Sequence, residues 1–509
     1  MDLLAPLHLA GQSLLAMLDP EDGFLPTKGY EVAHDLGRWW DAVLRLEETI
    51  GFEIPFELEA ASLDNLQRLT ANPDALLIAP PERGGCINPH NFRESLLVWG
   101  GLVSRRRSQA AYKAGLRLVE AMNRALQADG SFDFTRLGSW GLAPLTTDPS
   151  HTEPRRGGWF DATATSGRSL EALVWLYEAT GEDRVRNLAK RIADHHLAQT
   201  ISPDGKVRAE ILASENVGHN HSYHGTLRGL LLYGLLTEQP SFVEAVEATY
   251  RLGVRGQIVR ESGWAPHDLG MMRFPNNHGD PVGEPASTGD SAQLALWLAL
   301  RAGQKDLLDD VERLVRCRLL PMQMSREEFE AYPEGTFMRR ELGAWCVHGE
   351  CHSGKGCTPD ITAAVTHTLC DVYHHICTHT AGTSWINLHF DYADDRLALT
   401  GRRAELGEVT VIPSQPVNLM IRLPGWAPES SCNLTIDGIQ QPLERIGQYV
   451  SIARKQLAAQ SQVVLAYSLP ERESVERMPS GRVYIFRWRG DEITGISPQE
   501  GPLSYYPAF

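Results

Sequence analysis

A slow alternation of two kinds of helix is the feature that most constrains this chain. Leu36, Trp39, Trp40 and Val43 fall at the i, i+3, i+4, i+7 spacing of one helix face. Val185, Leu188, Ala189 and Ile192 repeat it, as do Leu307, Leu308, Val311, Leu314 and Val315. Between such one-sided segments lie others, 227–236 and 294–300, that are apolar nearly all round. A helix of that second kind is covered on every side. The alternation therefore predicts inner helices wrapped by outer ones. Inner-helix starts are marked at Asp35, Asn91, Ser166, His224, Asp290 and Pro359, with gaps of 56, 75, 58, 66 and 69 residues. Each gap holds two helices and a long loop, as in 165–197, where two helical runs flank a short Thr-Gly-Glu turn. Six helical hairpins in series predict an (α/α)6 barrel over 1–380, against the alternative of a less regular all-helical domain.

After residue 380 the period changes to two. Val417, Leu419, Ile421 and Leu423 alternate with Asn418, Met420 and Arg422. Leu434 and Ile436 lead into an Asp437-Gly438 turn, Val463, Leu465 and Tyr467 continue the pattern, and Tyr484, Phe486 and Trp488 share one strand face. These runs predict an antiparallel β-sandwich over 381–509. The fold class expected is mainly α with a C-terminal all-β part.

Charge removes whole classes of partner. Of 509 residues, 48 are basic and 64 acidic, a net charge of −16, which argues against nucleic acid and against docking on anionic lipid. No apolar run is long enough for a transmembrane helix. Residues 1–19 lack a basic leader and carry Asp2, His8 and Gln12. They read as a first amphipathic helix rather than a signal peptide, so the cytoplasm is the expected location. Oligomeric state is left open. Eight cysteines are too few for a disulfide scaffold, but Cys346, Cys351 and Cys357 fall within twelve residues. Cys317, Cys370 and Cys377 lie on helical patterns and read as core.

The loops ahead of the later inner helices carry the chemistry. Residues 215–225 hold three histidines, and 260–290 hold Glu261, Trp264, His267, Asp268, His278 and Glu284. A Trp among carboxylates suits a sugar site, the ring stacking on the apolar sugar face while the carboxylates transfer protons. Substrate contacts are assigned to His221, His224, Trp264, His267, Asp290, Trp39 and Asp161, and catalytic carboxylate roles to Glu261, Asp268 and Glu284. The Trp-Cys loop, 345–360, holds Cys346, His348, Glu350, Cys351, His352 and Cys357, which include every common zinc-ligand type. Their spacing is not that of a zinc finger, and the competing reading is a buried thiol acting as a small hydrophobe.

Specific motifs then carry a resemblance. Arg422-Leu423-Pro424-Gly425-Trp426-Ala427 matches an R-I-P-G-W-A signature, and LTIDG at 434–438 matches the strand and turn that follow it. EGPLSYY at 500–506, HGTLRGLLLY at 224–233 and Phe274-Pro275-Asn276 resemble G-P-L-V-Y, H-A-V-R-A-x-Y-L-Y and L-P-N segments of the same family. With Cys357-Thr358-Pro359 added, the chain resembles a distant member of the β-L-arabinofuranosidase family, glycoside hydrolase family 127. That resemblance implies an (α/α)6 barrel followed by β-sandwich domains. It also implies a cysteine nucleophile held on zinc by a Glu and further cysteines. Cys357 stands at the nucleophile of the C-C-P motif, with Thr358 in place of the second Cys. Glu284 stands near the Glu of an E-T-C segment, with Ala286 where its Cys belongs. Two of four zinc ligands are therefore absent from their matched positions. Either Cys351, Cys346, His352 or another histidine completes the set with Cys357 and Glu284, or the chain binds no zinc. The acid/base carboxylate precedes L-P-N in the family; here Asp268 and Glu261 stand upstream.

The activity implied is a retaining, exo-acting glycosidase releasing an arabinofuranose-like sugar from an oligosaccharide or glycoside. Without zinc, acid/base chemistry by Glu261, Asp268 and Glu284 is the expectation. Two alternatives remain. One is an unsaturated-uronide hydrolase or polysaccharide lyase, with a cationic clamp from Arg155, Arg156, Arg168 or Arg260. The other is a non-catalytic carbohydrate-binding protein.

Overall fold

The computed structural model describes residues 1–26, 32–79, 89–132, 167–213, 218–270, 279–331, 339–345 and 359–498. Its main helices are α1 (Leu4–Ala16), α2 (Val32–Ile50), α3 (Phe56–Leu69), α4 (Pro89–Arg106), α5 (Gln109–Ala125), α6 (Ser169–Thr180), α7 (Asp183–Gln199), α8 (Asn220–Leu236), α9 (Pro240–Thr249), α10 (Pro285–Arg301), α11 (Leu308–Leu314) and α12 (Pro359–His374). The even-numbered helices close a ring: α2 packs on α4, α4 on α6, α6 on α8, α8 on α10, α10 on α12, and α12 returns to α2. Around them α5 packs on α4, α7 on α6 and α8, α9 on α8, and α11 on α10. The remaining gap, between α12 and α2, is covered by α1.

The two helix types differ as their patterns require in α7 and α8, whereas α2, despite the one-sided spacing of Leu36, Trp39, Trp40 and Val43, is an inner helix buried from Asp35 to Leu44. In α8 every residue from Asn220 to Gly234 is buried, whereas α7 buries a stripe built on Val185, Leu188, Ala189, Ile192 and Ala193. Inner helices begin within five residues of their marked starts: Val32 for Asp35, Pro89 for Asn91, Ser169 for Ser166, Asn220 for His224, Pro285 for Asp290, and Pro359 itself. The hairpin from α6 to α7 turns at Gly181, whose left-handed φ of 68° ends α6 where a side chain would be strained. Trp39 joins α2 to α1: its indole N–H donates to the Leu14 carbonyl at 2.9 Å.

Apart from a short antiparallel pair, Leu18–Asp19 with Leu25–Pro26, the strands begin three residues after α12. They are β1 (Cys377–Thr380), β2 (Thr383–Ile386), β3 (Tyr392–Ala393), β4 (Leu397–Arg403), β5 (Leu406–Pro413), β6 (Asn418–Arg422), β7 (Asn433–Ile436), β8 (Ile439–Gln441), β9 (Arg445–Ile446), β10 (Tyr449–Ile452), β11 (Val463–Ser468), β12 (Glu471–Arg477), β13 (Val483–Arg489) and β14 (Glu492–Ser497). Cys377, read from the sequence as helical core, is buried as expected but lies in a strand. One sheet runs β8-β7-β11-β5-β4-β3 and a second β9-β10-β6-β2-β1. All pairings are antiparallel except β2 with β6. Leu397, Leu399, Val409, Val411 and Val463 of the first sheet share one core with Leu419, Ile421, Val450 and Ile452 of the second. Asp437 and Gly438, at φ 50° and 78°, make the tight turn between β7 and β8.

A third sheet, β12-β13-β14, was not distinguished in the sequence. Tyr484, Phe486 and Trp488 do share a face of β13, and that face packs on the barrel through Trp264 and Cys317.

The sandwich docks on α11 through buried charge. Arg422, at the end of β6, contacts Asp309, and its Nη2 lies 2.9 Å from Glu312 Oε1. Its Nε donates to the Asn387 carbonyl at 2.5 Å, and Gly425 N–H donates to Asp309 Oδ2 at 2.9 Å. The Arg-Leu-Pro-Gly-Trp-Ala signature thus clamps one part of the fold to the other. Met420 and Arg422, read as the polar side of an alternating strand, are buried like Leu419 and Ile421, because this sheet has protein on both faces.

His389 sits inside the same seam. Its Nε2–H donates to the Arg422 carbonyl at 2.9 Å, and its Nδ1 accepts from the Tyr467 hydroxyl at 2.6 Å. Burial, with Arg422, Arg403 and Arg316 nearby and Glu312 opposing, lowers its pKa to about 3. A depressed histidine contributes stability above its unfolded pKa of about 6.5 that is lost as pH falls towards 3, by an amount on the order of several kcal/mol. His389→Asn is therefore expected to destabilise the protein at pH 7, with the gap to wild type narrowing between pH 6.5 and 4. Parallel stability curves would remove this role. Asp290, raised to about 7 by burial, gives the opposite slope in both proteins and cancels in the difference.

Candidate active site

The first two turns of the six inner helices, and the residue just ahead of α6, bring polar side chains into the middle of the ring. From α2, Arg38 Nε lies 3.4 Å from Glu94 Oε1 of α4, and Arg38 Nη1 lies 3.5 Å from Asp360 Oδ2 of α12. From α4, Arg93 Nη1 lies 3.8 Å from the same Glu94 oxygen and 3.5 Å from His221 Nε2 of α8. His221 Nδ1 contacts Asp290 of α10. One turn deeper, Arg228 Nε lies 2.8 Å from Glu171 Oε2 of α6, and its Nη1 lies 3.0 Å from Asp290 Oδ1. Arg228 also meets Gln293, which donates to Asp371 Oδ2 at 2.6 Å. All of these groups are buried or nearly so. Isolated buried charge is expensive, so such groups persist only as a mutually paired set.

Beside this set the loops ahead of α8 and α10 are joined by backbone hydrogen bonds. Asn220 N–H donates to the His267 carbonyl at 3.0 Å, His267 N–H to Val282 at 2.9 Å, and Glu284 N–H to Ala265 at 3.0 Å. That stitching brings His219, His267 and Glu284 together, with one donor atom from each within 4.8 Å of the others. His219 Nε2 is 3.6 Å from Glu284 Oε2, while its Nδ1 bonds Ser222 Oγ at 2.8 Å. His267 Nδ1 bonds Asp268 Oδ1 at 2.9 Å. The two rings lie 4.9 Å apart.

Burial sets the electrostatics. It raises the Glu284 carboxyl, with Asp360 adding to the effect and His267 and Arg38 opposing it. It raises Asp290 to about 7 against the pull of Arg228. It holds His221 neutral, reinforced by Arg38, Arg93 and Arg168, and it lowers His224 to about 4.

Of the residues singled out in the sequence, His221, His267, Asp268, Glu284 and Asp290 meet here. Others lie elsewhere. Glu261 is exposed and pairs with Arg472 of β12 at 2.8 Å. Trp264 is 2% exposed, with Arg260 over its ring at 4.7 Å and the third sheet against it, so it packs as core rather than as a sugar platform. Trp39 is fully buried against α1. His224 is fully buried, its Nδ1–H donating to the Asn220 carbonyl at 3.1 Å. Asp161, Cys346, Cys351, His352, Cys357 and the 274–276 and 500–506 motifs lie outside the described residues.

Sequence reasoning missed Arg38, Arg93, Glu94, Glu171, Arg228 and Asp360, and passed over His219. For Arg228 the signal was present: a charge within an all-round apolar run, as it is in 227–236, has no solvent to face and must meet a partner.

No protein-family model matches the chain, and no curated protein matches it in sequence. Solved structures do match in shape. A glycoside hydrolase family 127 β-L-arabinofuranosidase from Geobacillus stearothermophilus T6 is 14% identical, covering 96% of this chain and 80% of its own, with a TM-score of 0.56. A second family 127 β-arabinofuranosidase is 13% identical over 96% of this chain and 79% of its own, with a TM-score of 0.61. A cellobiose 2-epimerase from Spirochaeta thermophila is 13% identical and covers 71% of this chain and 93% of its own, with a TM-score of 0.51. Over 96% of its length the chain therefore has the fold of the family 127 β-L-arabinofuranosidases.

Proposed function

We propose that this chain is an exo-acting glycoside hydrolase that releases a terminal, arabinofuranose-like sugar from an oligosaccharide. The observation that supports the reading best is the convergence of Asp268, Glu284, His219 and His267 beside the arginine-carboxylate set at the ring's centre. The fold shared with family 127 hydrolases agrees with it.

The proposed roles rest on the family resemblance for Cys357 and on placement for the carboxylates. Cys357, two residues ahead of α12, is the nucleophile. Asp268 is the acid/base, because Glu261 is turned to Arg472 and Glu284 belongs to the imidazole-carboxylate triad. In the first step the Cys357 sulfur bonds the anomeric carbon as the glycosidic C–O bond breaks, and Asp268 gives its proton to the leaving oxygen. In the second Asp268 takes a proton from water, whose oxygen displaces the sulfur with overall retention. Zinc fits the donors present. His219, His267 and Glu284 are nitrogen and oxygen ligands of the kind it takes, and the separation of 3.6 Å between His219 Nε2 and Glu284 Oε2 is close to the ~3.4 Å between neighbouring ligands of a tetrahedral ion. Ser222 and Asp268 hold the two Nδ1 atoms, as partners of metal-bound imidazoles do. When bound, zinc would keep a nearby thiol deprotonated and ease the departure of sulfur.

The test is turnover of a nitrophenyl glycoside panel that includes L-arabinofuranosides, with the product anomer read by NMR and zinc measured in the same sample. Retained product and about one zinc per chain, reduced by His267→Ala, are expected. Inverted product would remove the cysteine mechanism. Formation of an unsaturated product would place the chain among lyases.

A further inference from the structure

The arginines at the centre of the ring are not equally paired. Arg228 is met by Glu171 and Asp290, and Arg38 by Glu94 and Asp360. Among the described residues Arg93 has Glu94 alone, at 3.8 Å. Arg168, just ahead of α6, is 1% exposed and has no carboxylate partner among the described residues; its Nη1 contacts His90, and its Nε and Nη2 make no hydrogen bond. Burial disfavours its charge, and Arg93 and Arg38 add repulsion, with Glu94 and Asp360 only partly offsetting them. A guanidinium does not give up its proton in a protein, and a buried donor left unmade is costly. Two unused N–H groups on one planar fork match the two oxygens of a carboxylate.

We propose that Arg168, with Arg93 beside it, receives a carboxylate on one sugar unit of the oligosaccharide, so that the substrate is a uronate-bearing glycoside. The inference rests on the reading of the ring's centre as the sugar site. It adds a charge requirement that the hydrolytic chemistry does not need. Bound there, the carboxylate completes a buried guanidinium at the ring's centre to which the described residues offer no anion, and a neutral sugar in the same place would leave it unpaired.

Isothermal titration of the full chain with sodium glucuronate, sodium galacturonate, glucose, galactose and inorganic phosphate tests this. Each uronate is expected to bind at least tenfold more tightly than its neutral counterpart, and Arg168→Gln to bring the two to parity. Arg168→Lys, which keeps the charge and loses the fork, is expected to retain only part of the preference. Should Arg168→Gln fail to fold, the wild-type comparison alone decides, since equal affinities overturn the proposal. Phosphate binding as tightly as the uronates would also overturn it, in favour of a site for small inorganic anions. A uronate preference without turnover of any glycoside would remove the hydrolase reading and leave this one standing. Turnover of neutral glycosides with no uronate preference would do the reverse.

Discussion

Asp268→Asn is expected to lower kcat by on the order of 10²–10⁴-fold on glycosides with poor leaving groups, the usual contribution of a positioned proton donor. The loss should shrink with an activated leaving group such as dinitrophenolate, which departs without protonation, because sulfur attack on carbon needs no help from Asp268. Leaving-group dependence matters because Asp268 has a second contact. Its Oδ1 bonds His267 Nδ1 at 2.9 Å, so the carboxylate also orients an imidazole of the triad. If orientation were its whole role, Asp268→Asn would lower zinc content and reduce all substrates alike. Equal losses across leaving groups would therefore remove Asp268 as the acid and return the assignment to another carboxylate at the ring's centre.

Arg422→Met is expected to be the most damaging single change to stability. Burial works against charge on Glu312, yet Arg422, followed by His389, Arg316 and Arg403, holds its carboxyl well below the usual range. With Arg422 removed, Glu312 keeps Arg403 at 3.4 Å, but the clamp to β6 is gone and the Asn387 carbonyl loses a donor. Breaking one side of a buried ion pair typically costs ~3–5 kcal/mol, mostly from the charge left behind. Thermal unfolding should show a large fall in Tm, and limited proteolysis should cut first near 374–377, where the barrel gives way to strands. Adding Glu312→Gln and Asp309→Asn should recover part of the loss, since the stranded charges go with them. A single variant with wild-type Tm would show that the signature acts through something other than this clamp.

The parts of the fold that were legible in the sequence are those set by periodicity. Inner helices have no exposed side, so their apolar runs stand out, and their starts can be placed within a turn or so. β7 and β11 alternate because one face is more exposed than the other. Where an element has protein on both faces the rule weakens: Arg422 and Met420 looked like the solvent side of β6 and are not. The third sheet was invisible as a separate unit, because Tyr484, Phe486 and Trp488 announce an apolar face without naming what covers it.

For the site the division has a physical cause. Composition and loop content pointed to histidines and carboxylates ahead of α8 and α10, and His221, His267, Asp268, Glu284 and Asp290 do meet. Residue type alone could not separate Trp264 and Trp39, which fill the interior, from groups at the ring's centre, nor turn Glu261 outward. Helix phase and loop stitching decide that, and they act between residues far apart along the chain. Amino-acid order by itself determined that inner and outer helices must alternate and that strands must follow, since each needs a particular apolar spacing. Which buried charges find a partner, and that Arg168 finds no carboxylate among the described residues, was decided only when six helix ends were brought to one point.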